Sequence, residues 1–523
     1  MKMKRNLLWG MLIGATLSFT SCVNDLDVTP IDPDEESSKT VYDSPEAYYG
    51  VLAKLYGGLA LTGQQGPAGQ GDIGGIDEGV SSYLRGYWYH QELTTDEAVV
   101  GWSDQTIKDF HEQDWGAGDI FIRGMYSRIF YQIVLANELI GASNGNSDAN
   151  IQKYNAEARF LRALSYWHAL DLFGNVPFVT EADKVGSFFP KQATKAELFA
   201  YIESELKDIE TKLNLPTLSA NLYGRANQAA AWALLAKLYL NAQVYIGQPK
   251  YTEAITYCNK IIASGIYSLN ANYHHNFLAD NHTSKEFIFT VNFDGARTQS
   301  YGGTTFIINA AGSGPIFTAL YGYTGGWAGT RTTRQLVEKF PNPQGTVDKR
   351  ALFWMDGHTL DINDVGKFTD GYAVIKFQNK TSTGANGSNA TFPDTDFPMF
   401  RLADIYLMYA EAVLRGGTGG SKATAVNYIN MLRERAYGNT NGNISEGDLT
   451  LEFILDERAR ELYWECHRRT DLIRFGQFTN GDYVWAWKGG VAGGIKTDPK
   501  YNIFPIPSAD LNANPNLKQN PGY

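Results

Sequence analysis

Cysteine is scarce in this 523-residue sequence. The three cysteines are Cys22, Cys258 and Cys466, and no CxxC pair occurs, which excludes a zinc site built on paired thiolates. The motifs HExxH, GxSxG and GxxxxGK(S/T) are also missing, so no catalytic class is indicated. Beyond the N-terminus no stretch reaches about 18 apolar residues, which argues against a membrane span.

Positive charge is also in short supply. The 45 Lys and Arg residues face 56 Asp and Glu residues, for a formal net charge of −11. A protein that follows a nucleic-acid backbone carries the opposite excess, so we expect no nucleic-acid partner. Apolar residues make up 43% of the chain, which rules out a disordered protein.

The N-terminus has the pattern of a secretory signal. Basic residues up to Arg5 are followed by an apolar run and then by Phe19-Thr20-Ser21-Cys22. Small residues before a single cysteine are typical of a lipobox, in which that cysteine is acylated. We therefore predict a lipoprotein signal peptide over 1–21, lipidation at Cys22 and a flexible tether over 22–40. An ordinary signal peptide with a chance cysteine is the alternative.

Helical periodicity dominates the rest of the chain and predicts a mostly α fold. Residues 227–246 with the helix that follows them, and 401–415 with 422–436, have the spacing of tetratricopeptide-like helical hairpins. An amphipathic bundle without true repeats is the alternative. We predict a single domain over 41–523, in which loop-rich insertions and a few short strands interrupt the hairpin scaffold.

The amino-acid composition changes between residues 268 and 400, where Gly, Thr, Asn and Asp are common. Two β-rich runs there, 287–291 and 306–308, predict strands. Residues 450–475 predict one charged helix. Cys258 and Cys466 both fall in helical patterns, so two buried thiols are favoured over a disulfide.

Three aromatic residues lie in glycine-rich, polar surroundings: Trp102 in VGWSD, Tyr301 in SYGG and Trp327 in GGWAG. A ring flanked by glycine is well placed to be exposed, and an exposed ring can stack on the apolar face of a sugar. Ordinary packing is the alternative for each ring taken alone.

Acidic residues cluster at Asp394-Thr395-Asp396, inside a loop bounded by prolines. Two acids two residues apart can point to one side of an extended segment, and their oxygens suit Ca²⁺. A solvated turn explains the same spacing equally well. A glycosidase needs two carboxylates about 5–10 Å apart, and nothing in the sequence singles out such an acid and base.

Several segments together resemble the SusD/RagB family. They are the helix ERARELYWECHRRTDLIRF at 457–475, the segment FRLADIYLMYAEA at 400–412, and the proline-pinned ending from Phe504 to Tyr523. The resemblance extends from the lipobox to the last residue. It implies a non-catalytic glycan-binding lipoprotein at the surface of the outer membrane. It also implies a partner, a TonB-dependent transporter of the SusC type.

Within that family the chain is most similar to the starch-binding member, through Asp77-Glu78-Gly79, Thr95-Asp96-Glu97, Tyr301-Gly302-Gly303 and the motif WAWKGG at 485–490. The likeness implies an α-1,4-glucan ligand. It places an aromatic arc on Trp102, Tyr301 and Trp327, and polar sugar contacts on Asp77, Arg85 and Gln105. Gln105 stands where that member has asparagine. The likeness also implies a structural calcium ion, held by Asp394, Asp396, Glu286 and Asp280.

Overall fold

The computed structural model describes residues 41–183 and 188–523. The predicted signal peptide, the predicted lipidation site Cys22 and the predicted tether lie outside the described residues. The chain divides into two compact units, Met1–Tyr49 and Gly50–Tyr523. Every candidate site residue except Cys22 belongs to the second unit. The predicted limits of the domain, 41–523, stay a prediction.

Helices dominate the described residues, which confirms the predicted mostly α fold. In chain order the 17 α-helices are α1 (Pro45–Ala60), α2 (Tyr83–Trp88), α3 (Gln105–Glu112), α4 (Ile120–Ser143), α5 (Ala149–Phe173), α6 (Lys195–Ile209), α7 (Gln228–Leu240), α8 (Ala242–Ile246), α9 (Tyr251–Ala263), α10 (Gly303–Ala310), α11 (Gly314–Tyr321), α12 (Arg334–Val337), α13 (Leu402–Leu414), α14 (Lys422–Tyr437), α15 (Leu451–Leu462), α16 (Arg468–Arg474) and α17 (Ser508–Ala513).

The long helices pack in chain order as a continuous array. Helix α4 packs on α5, α5 on α6, and α6 on α7. Helix α7 then pairs with α9, and α13 lies between α9 and α14. The helix pairs expected from residues 227–246 and from residues 401–436 are therefore present as neighbouring helices.

Short polar side chains fix where these helices begin. The carboxylate of Asp119 accepts hydrogen bonds from the first turn of α4, and Asp148 does the same for α5. At α6, Thr194 and Glu197 form a reciprocal capping box. Each cap satisfies backbone N–H groups that have no partner within the helix, which typically stabilises a helix by about 1 kcal/mol.

The strands are short and form four separate antiparallel ladders in the described residues. The eight strands are β1 (Val99–Val100), β2 (Val176–Pro177), β3 (Gln192–Ala193), β4 (Phe287–Val291), β5 (Thr330–Arg331), β6 (Phe353–Trp354), β7 (Ala373–Val374) and β8 (Phe397–Arg401). The pairs are β1 with β5, β2 with β3, β4 with β8, and β6 with β7. The predicted strand 287–291 is confirmed as β4.

The strand predicted at 306–308 is wrong, because these residues form the centre of α10. All eight residues of α10 are buried. A short apolar run that is buried on every side has no alternation to separate a strand from a buried helix.

The single helix predicted over 450–475 is also wrong. Helix α15 ends at Leu462 and α16 begins at Arg468. Between them Trp464 and Cys466 adopt left-handed backbone conformations, with φ of 65° and 66°. The prediction of two buried free thiols is confirmed for Cys258 and Cys466, although Cys466 lies between the two helices.

The charged side chains of α15 are buried in ion pairs rather than solvated. Glu457 accepts a hydrogen bond of 2.7 Å from Arg350, and Glu461 accepts one of 2.7 Å from Arg401. Burial raises the pKa of Glu461, but the neighbouring Arg435 and Arg401 outweigh burial and lower the pKa to about 2. Paired burial of this kind explains how a helix rich in charge can sit inside the fold.

One ion pair ties this buried network to the segment that leads into β1. The guanidinium of Arg468, on α16, donates to both carboxylate oxygens of Asp96 at 2.7 and 2.8 Å. Asp96 lies three residues before Val99, the first residue of β1. The position of β1 is therefore fixed from the core, and β1 in turn positions the candidate site.

Candidate functional site

The ladder of β1 and β5 brings two of the predicted aromatic residues together. Val99 pairs with Arg331 and Val100 with Thr330. The ladder continues through a hydrogen bond of 2.9 Å from the Gly101 nitrogen to the Gly329 oxygen. Trp102 comes directly after Gly101, and Trp327 comes two residues before Gly329. Residues 225 positions apart thus become neighbours, and the indole nitrogen of Trp102 donates to the Trp327 main-chain oxygen at 3.2 Å.

Gly329 permits this approach because it has no side chain. A Cβ atom at Gly329 would lie 2.5 Å from two carbons of the Trp102 indole, closer than any real contact. The ring of Trp102 therefore rests directly on the backbone of Gly329, and the glycine is a packing requirement.

Helix α10 positions Tyr301 at one end and Trp327 at the other. Tyr301 lies just before its first residue and is 38% exposed. At the opposite end of α10, the main-chain oxygens of Asn309 and Ala310 accept hydrogen bonds from the nitrogens of Trp327, at 2.7 Å, and Gly329, at 2.8 Å. One short buried helix thus sets the spacing of both segments.

The rings of Tyr301 and Trp327 meet edge to face. Their centroids are 6.2 Å apart and their planes are inclined by 60°. Trp102 and Trp327 are half-buried, so each keeps part of its ring accessible. The Tyr301 and Trp327 rings are therefore inclined to each other, and Trp102 is bonded to the Trp327 main chain beside them.

Arg85 lies beside Trp102 and carries the positive charge of the site. From α2, its Nε and Nη2 atoms donate to the Tyr89 hydroxyl at 3.1 and 2.9 Å. Its guanidinium carbon lies 4.8 Å from the ring centroid of Phe306 and 6.0 Å from that of Trp102. Burial raises the pKa of Tyr89 and the charge of Arg85 opposes that rise, so the hydroxyl stays protonated at neutral pH.

Arg85 retains donor capacity for a ligand. Among the residues that the structure describes, the hydrogen bonds of the Arg85 side chain go from Nε and Nη2 to Tyr89, and its Nη1 atom has no hydrogen-bond acceptor. Asp77 lies close by, because a Cβ atom at Gly79 would be 3.0 Å from the Asp77 carboxylate and 3.8 Å from Arg85 Nη1. The exposed Asp77 accepts a hydrogen bond of 2.9 Å from the Gly79 nitrogen.

Gln105 begins α3, three residues after Trp102, and is exposed. Its amide nitrogen donates to Asp109 at 2.7 Å. The described contacts therefore join Arg85 with Trp102, Trp102 with Trp327, and Trp327 with Tyr301, while Asp77 lies near Arg85 without a hydrogen bond between these two described residues. They place Gln105 beside this group only through its short distance along the chain.

Sequence reasoning missed the residues that support the arc from behind. Phe306 packs edge-on against Trp102, with ring centroids 6.2 Å apart, and Phe392 packs against Tyr301 at 5.6 Å. Both are buried. No local signal separates them from the many other core aromatics, and the strand predicted at 306–308 concealed the role of Phe306.

The four acids predicted to hold calcium do not form one ligand set. Both oxygens of Glu286 accept from arginines, Arg401 at 2.7 Å and Arg435 at 2.8 Å. Asp280 accepts from the Ser382 nitrogen and hydroxyl at 2.8 and 2.6 Å. Among the described residues no group of three or more acids, histidines or cysteines is arranged to hold a metal ion.

Asp394 and Asp396 are also engaged with protein donors. Asp394 accepts from Ser388 and Gly295, and Asp396 accepts from Tyr223 at 2.6 Å and from the Phe293 nitrogen at 2.7 Å. Burial raises the pKa of Asp396 to about 7. The four residues therefore do not fit calcium as one ligand set. Whether the protein binds calcium stays a prediction.

The predicted glycan-binding residues lie apart from the cavity beside β4. This cavity of about 430 Å³ lies between residues 217–225 and strand β4, and its described lining contains none of the six residues. No helix among the described residues is long and apolar enough to cross a membrane.

Comparison with known proteins places this architecture among outer-membrane glycan-binding proteins. Residues 342–523 match the sequence profile described as SusD family, and residues 80–240 match one described as starch-binding associating with outer membrane. The chain is 36% identical to the starch-binding protein SusD of Bacteroides thetaiotaomicron, over 96% of each chain. It belongs to the SusD family, whose members are carbohydrate-binding proteins without catalytic activity.

Solved structures of more distant relatives share the fold. A SusD superfamily protein from Parabacteroides distasonis superposes with a TM-score of 0.71 at 23% identity, over 94% of this chain and 100% of that one. Surface glycan-binding protein A of Bacteroides thetaiotaomicron, in complex with laminarihexaose, superposes with a TM-score of 0.69 at 20% identity, over 91% and 99% of the two chains. The helical array with loop insertions is therefore the fold of this superfamily.

Proposed function

We propose that this protein binds α-1,4-linked glucan, as starch or maltooligosaccharides, on the arc of Trp102, Tyr301 and Trp327. The single observation that supports this most strongly is the contact that joins Trp102 to Trp327 across the β1–β5 ladder. An α-1,4-glucan is a curved chain whose sugar rings each expose an apolar face. A group of partly exposed rings inclined to each other offers such faces a surface on which to stack.

The polar neighbours of the arc supply the complementary hydrogen bonds. Arg85 has a free donor beside Trp102, and the exposed Asp77 supplies an acceptor beside Arg85. Sugar hydroxyls both donate and accept, so a cation and a nearby carboxylate that do not bond to each other can together hold one sugar in a defined orientation. Each such bond contributes a modest net amount of about 0.5–1.5 kcal/mol, because it replaces a bond to water.

Binding specificity is tested by titrating the purified protein with oligosaccharides of different linkage. We expect saturable heat release with maltoheptaose and none with a xylan oligosaccharide or with laminarihexaose, a β-linked glucan. Binding to either of these and not to maltoheptaose would show a different glycan specificity on the same scaffold. Chromatography of the maltoheptaose after long incubation checks that the sugar is returned intact.

We further propose that the protein is lipid-anchored through Cys22 on the outer-membrane surface and delivers glucan to a TonB-dependent transporter of the SusC type. The likeness to outer-membrane-associated starch-binding proteins supports this role. An affinity tag on the protein should co-purify such a transporter from native outer membranes. Cys22→Ala should abolish acylation and leave glucan binding by the purified protein unchanged.

A further inference from the structure

The turn at 485–490 contains a strained aromatic residue that the arc does not use. Trp487 adopts a left-handed backbone with φ of 67°, an arrangement that side-chain-bearing residues rarely take. In the described residues four other non-glycine residues share this property, and three of them are buried: Gln113, Trp464 and Cys466. The fourth is Ala328, next to Trp327 in the arc, so Ala328 and Trp487 are the two of these residues that are only half-buried. Strained, accessible residues tend to occur where ligands bind.

Buried contacts hold Trp487 in this conformation. The side chain of Lys488 is buried and donates to the main-chain oxygens of Asn480 and Tyr483 at 3.0 and 2.9 Å. The indole nitrogen of Trp487 donates to the Ile362 oxygen at 2.9 Å. The edge of the ring is therefore fixed, while part of the ring stays accessible.

Two separate segments connect Trp487 with Trp102. Helix α3 begins three residues after Trp102 and its eight residues span about 12 Å. At the far end of α3, a Cβ atom at Gly490 would lie 3.8 Å from the Glu112 carboxylate. The two tryptophans therefore lie near opposite ends of one short helix.

The second connecting segment is the loop 362–366. At one end, the main-chain oxygen of Ile362 accepts the hydrogen bond from the Trp487 indole nitrogen. The other end lies against Gly101. A Cβ atom at Gly101 would be 3.2 Å from the Val365 oxygen and 3.4 Å from the Gly366 oxygen. Helix α3 and this loop thus run between the same two points.

Polar side chains follow α3 between the two tryptophans. Gln105, Lys108 and Glu112 are at positions i, i+3 and i+7, which lie on one face of a helix. All three are at least partly exposed. An amide, an ammonium group and a carboxylate in a row supply donors and acceptors of the kind that sugar hydroxyls use.

We propose that the glucan-binding surface continues from Trp102 along α3 to Trp487, and that Trp487 is an additional stacking platform for the distal sugars of a longer chain. The inference rests on the proposed function. The Trp487 platform differs from the arc because only a ligand as long as α3 can reach both Trp102 and Trp487.

The test compares the affinities of a short and a long ligand for each variant. We expect Trp487→Ala to bind maltotriose like the wild type and to bind a long maltodextrin about tenfold more weakly, the equivalent of one stacking contact. Trp487→Phe keeps a ring and should retain most of the affinity for the long ligand. Lys108→Ala, on α3 and outside the turn at 485–490, should also weaken only the long ligand.

The ratio of the two affinities separates the possible outcomes. A misfolded variant loses the short ligand as well, and in that case Lys108→Ala decides the inference. Equal binding of the long ligand by the wild type, Trp487→Ala and Lys108→Ala overturns the inference, while loss of both ligands in Trp102→Ala still supports the arc. If Trp487→Ala changes only the recovery of the transporter, Trp487 contacts a protein and the inference is wrong. If the wild type binds no α-glucan, the proposed function fails and the inference fails with it.

Discussion

The indole nitrogen of Trp102 donates a hydrogen bond of 3.2 Å to the main-chain oxygen of Trp327, across a ladder of only two residue pairs. This bond fixes one ring of the arc against the backbone of another. The site is therefore a pre-organised surface, whose rings need little ordering when a glucan binds. Pre-organisation of this kind improves affinity because less conformational freedom is lost on binding.

Gly329→Ala should weaken glucan binding by about tenfold without removing any proposed ligand contact. The added methyl group would lie 2.5 Å from the Trp102 ring, so the ring must leave its position. Gly314→Ala is the matched control, because a Cβ atom at Gly314 meets nothing within 4 Å. Calorimetric titration with maltoheptaose measures both. Wild-type affinity in Gly329→Ala would show that the position of Trp102 does not matter.

Arg85→Lys should lower the affinity although the charge is conserved. Lysine cannot reproduce the two bonds that Nε and Nη2 donate to Tyr89, so its ammonium group is less well oriented toward the sugar. We expect Arg85→Ala to lose about tenfold or more in affinity, and Arg85→Lys to fall between that variant and the wild type. Arg297→Lys, at an arginine whose side chain is 86% exposed, serves as the control. Unchanged binding by Arg85→Ala contradicts the assignment.

Glu461→Ala should destabilise the fold by about 3–5 kcal/mol, because it removes a carboxylate that buried arginines share and leaves their charge incompletely neutralised. Arg401 and Arg435 both donate to Glu461, and all three side chains are buried. Urea unfolding followed by circular dichroism measures the change. Glu452→Ala, at an exposed position of the same helix α15, should have a small effect. Similar unfolding midpoints for the two variants would count against the buried network.

The stability of the Glu97→Gln variant, compared with that of the wild type at the same pH, should increase as the pH rises. Burial raises the pKa of Glu92 from 4.5 to about 7, and burial together with the neighbouring Glu92 carboxylate raises the pKa of Glu97. The folded state thus keeps a proton that the unfolded state releases. The stability that depends on this proton is complete below about pH 4.5 and is lost as the pH rises through 7.

Glutamine mimics the protonated Glu97 at every pH, so the variant lacks this loss. The free energy of unfolding of Glu97→Gln, minus that of the wild type, should therefore increase between pH 5 and pH 8, a range chosen to bracket the raised pKa of about 7. Urea titrations at several pH values give this difference. A difference that stays constant or falls would mean that the pair holds no proton.

The helices of this protein are readable from its sequence, because long amphipathic repeats carry a strong periodic signal. The predicted helices at 401–415 and 422–436 correspond to α13 and α14 within a residue at each end. The errors lie where tertiary contacts decide. Nothing in the run at 306–308 reveals that it is buried on all sides, and nothing near Trp464 reveals that Glu97, 367 residues away, accepts a bond from its nitrogen.

The site was predictable in part, through the glycine-flanked aromatics and the family resemblance. Sequence could not show that Trp102 and Trp327 touch, because their contact depends on a ladder between distant segments. Nor could the sequence show that both carboxylate oxygens of Glu286 accept hydrogen bonds from arginines. An acid that looks like a metal ligand and an acid that neutralises buried arginines have the same local pattern.

A crystal structure of the protein with maltoheptaose tests the central claim most directly. The account predicts that successive sugar rings lie on Trp102, Trp327 and Tyr301, with hydroxyls bonded to Arg85 and Asp77. A glucan bound elsewhere, for example in the cavity beside β4, with the three rings left uncovered, would contradict the account.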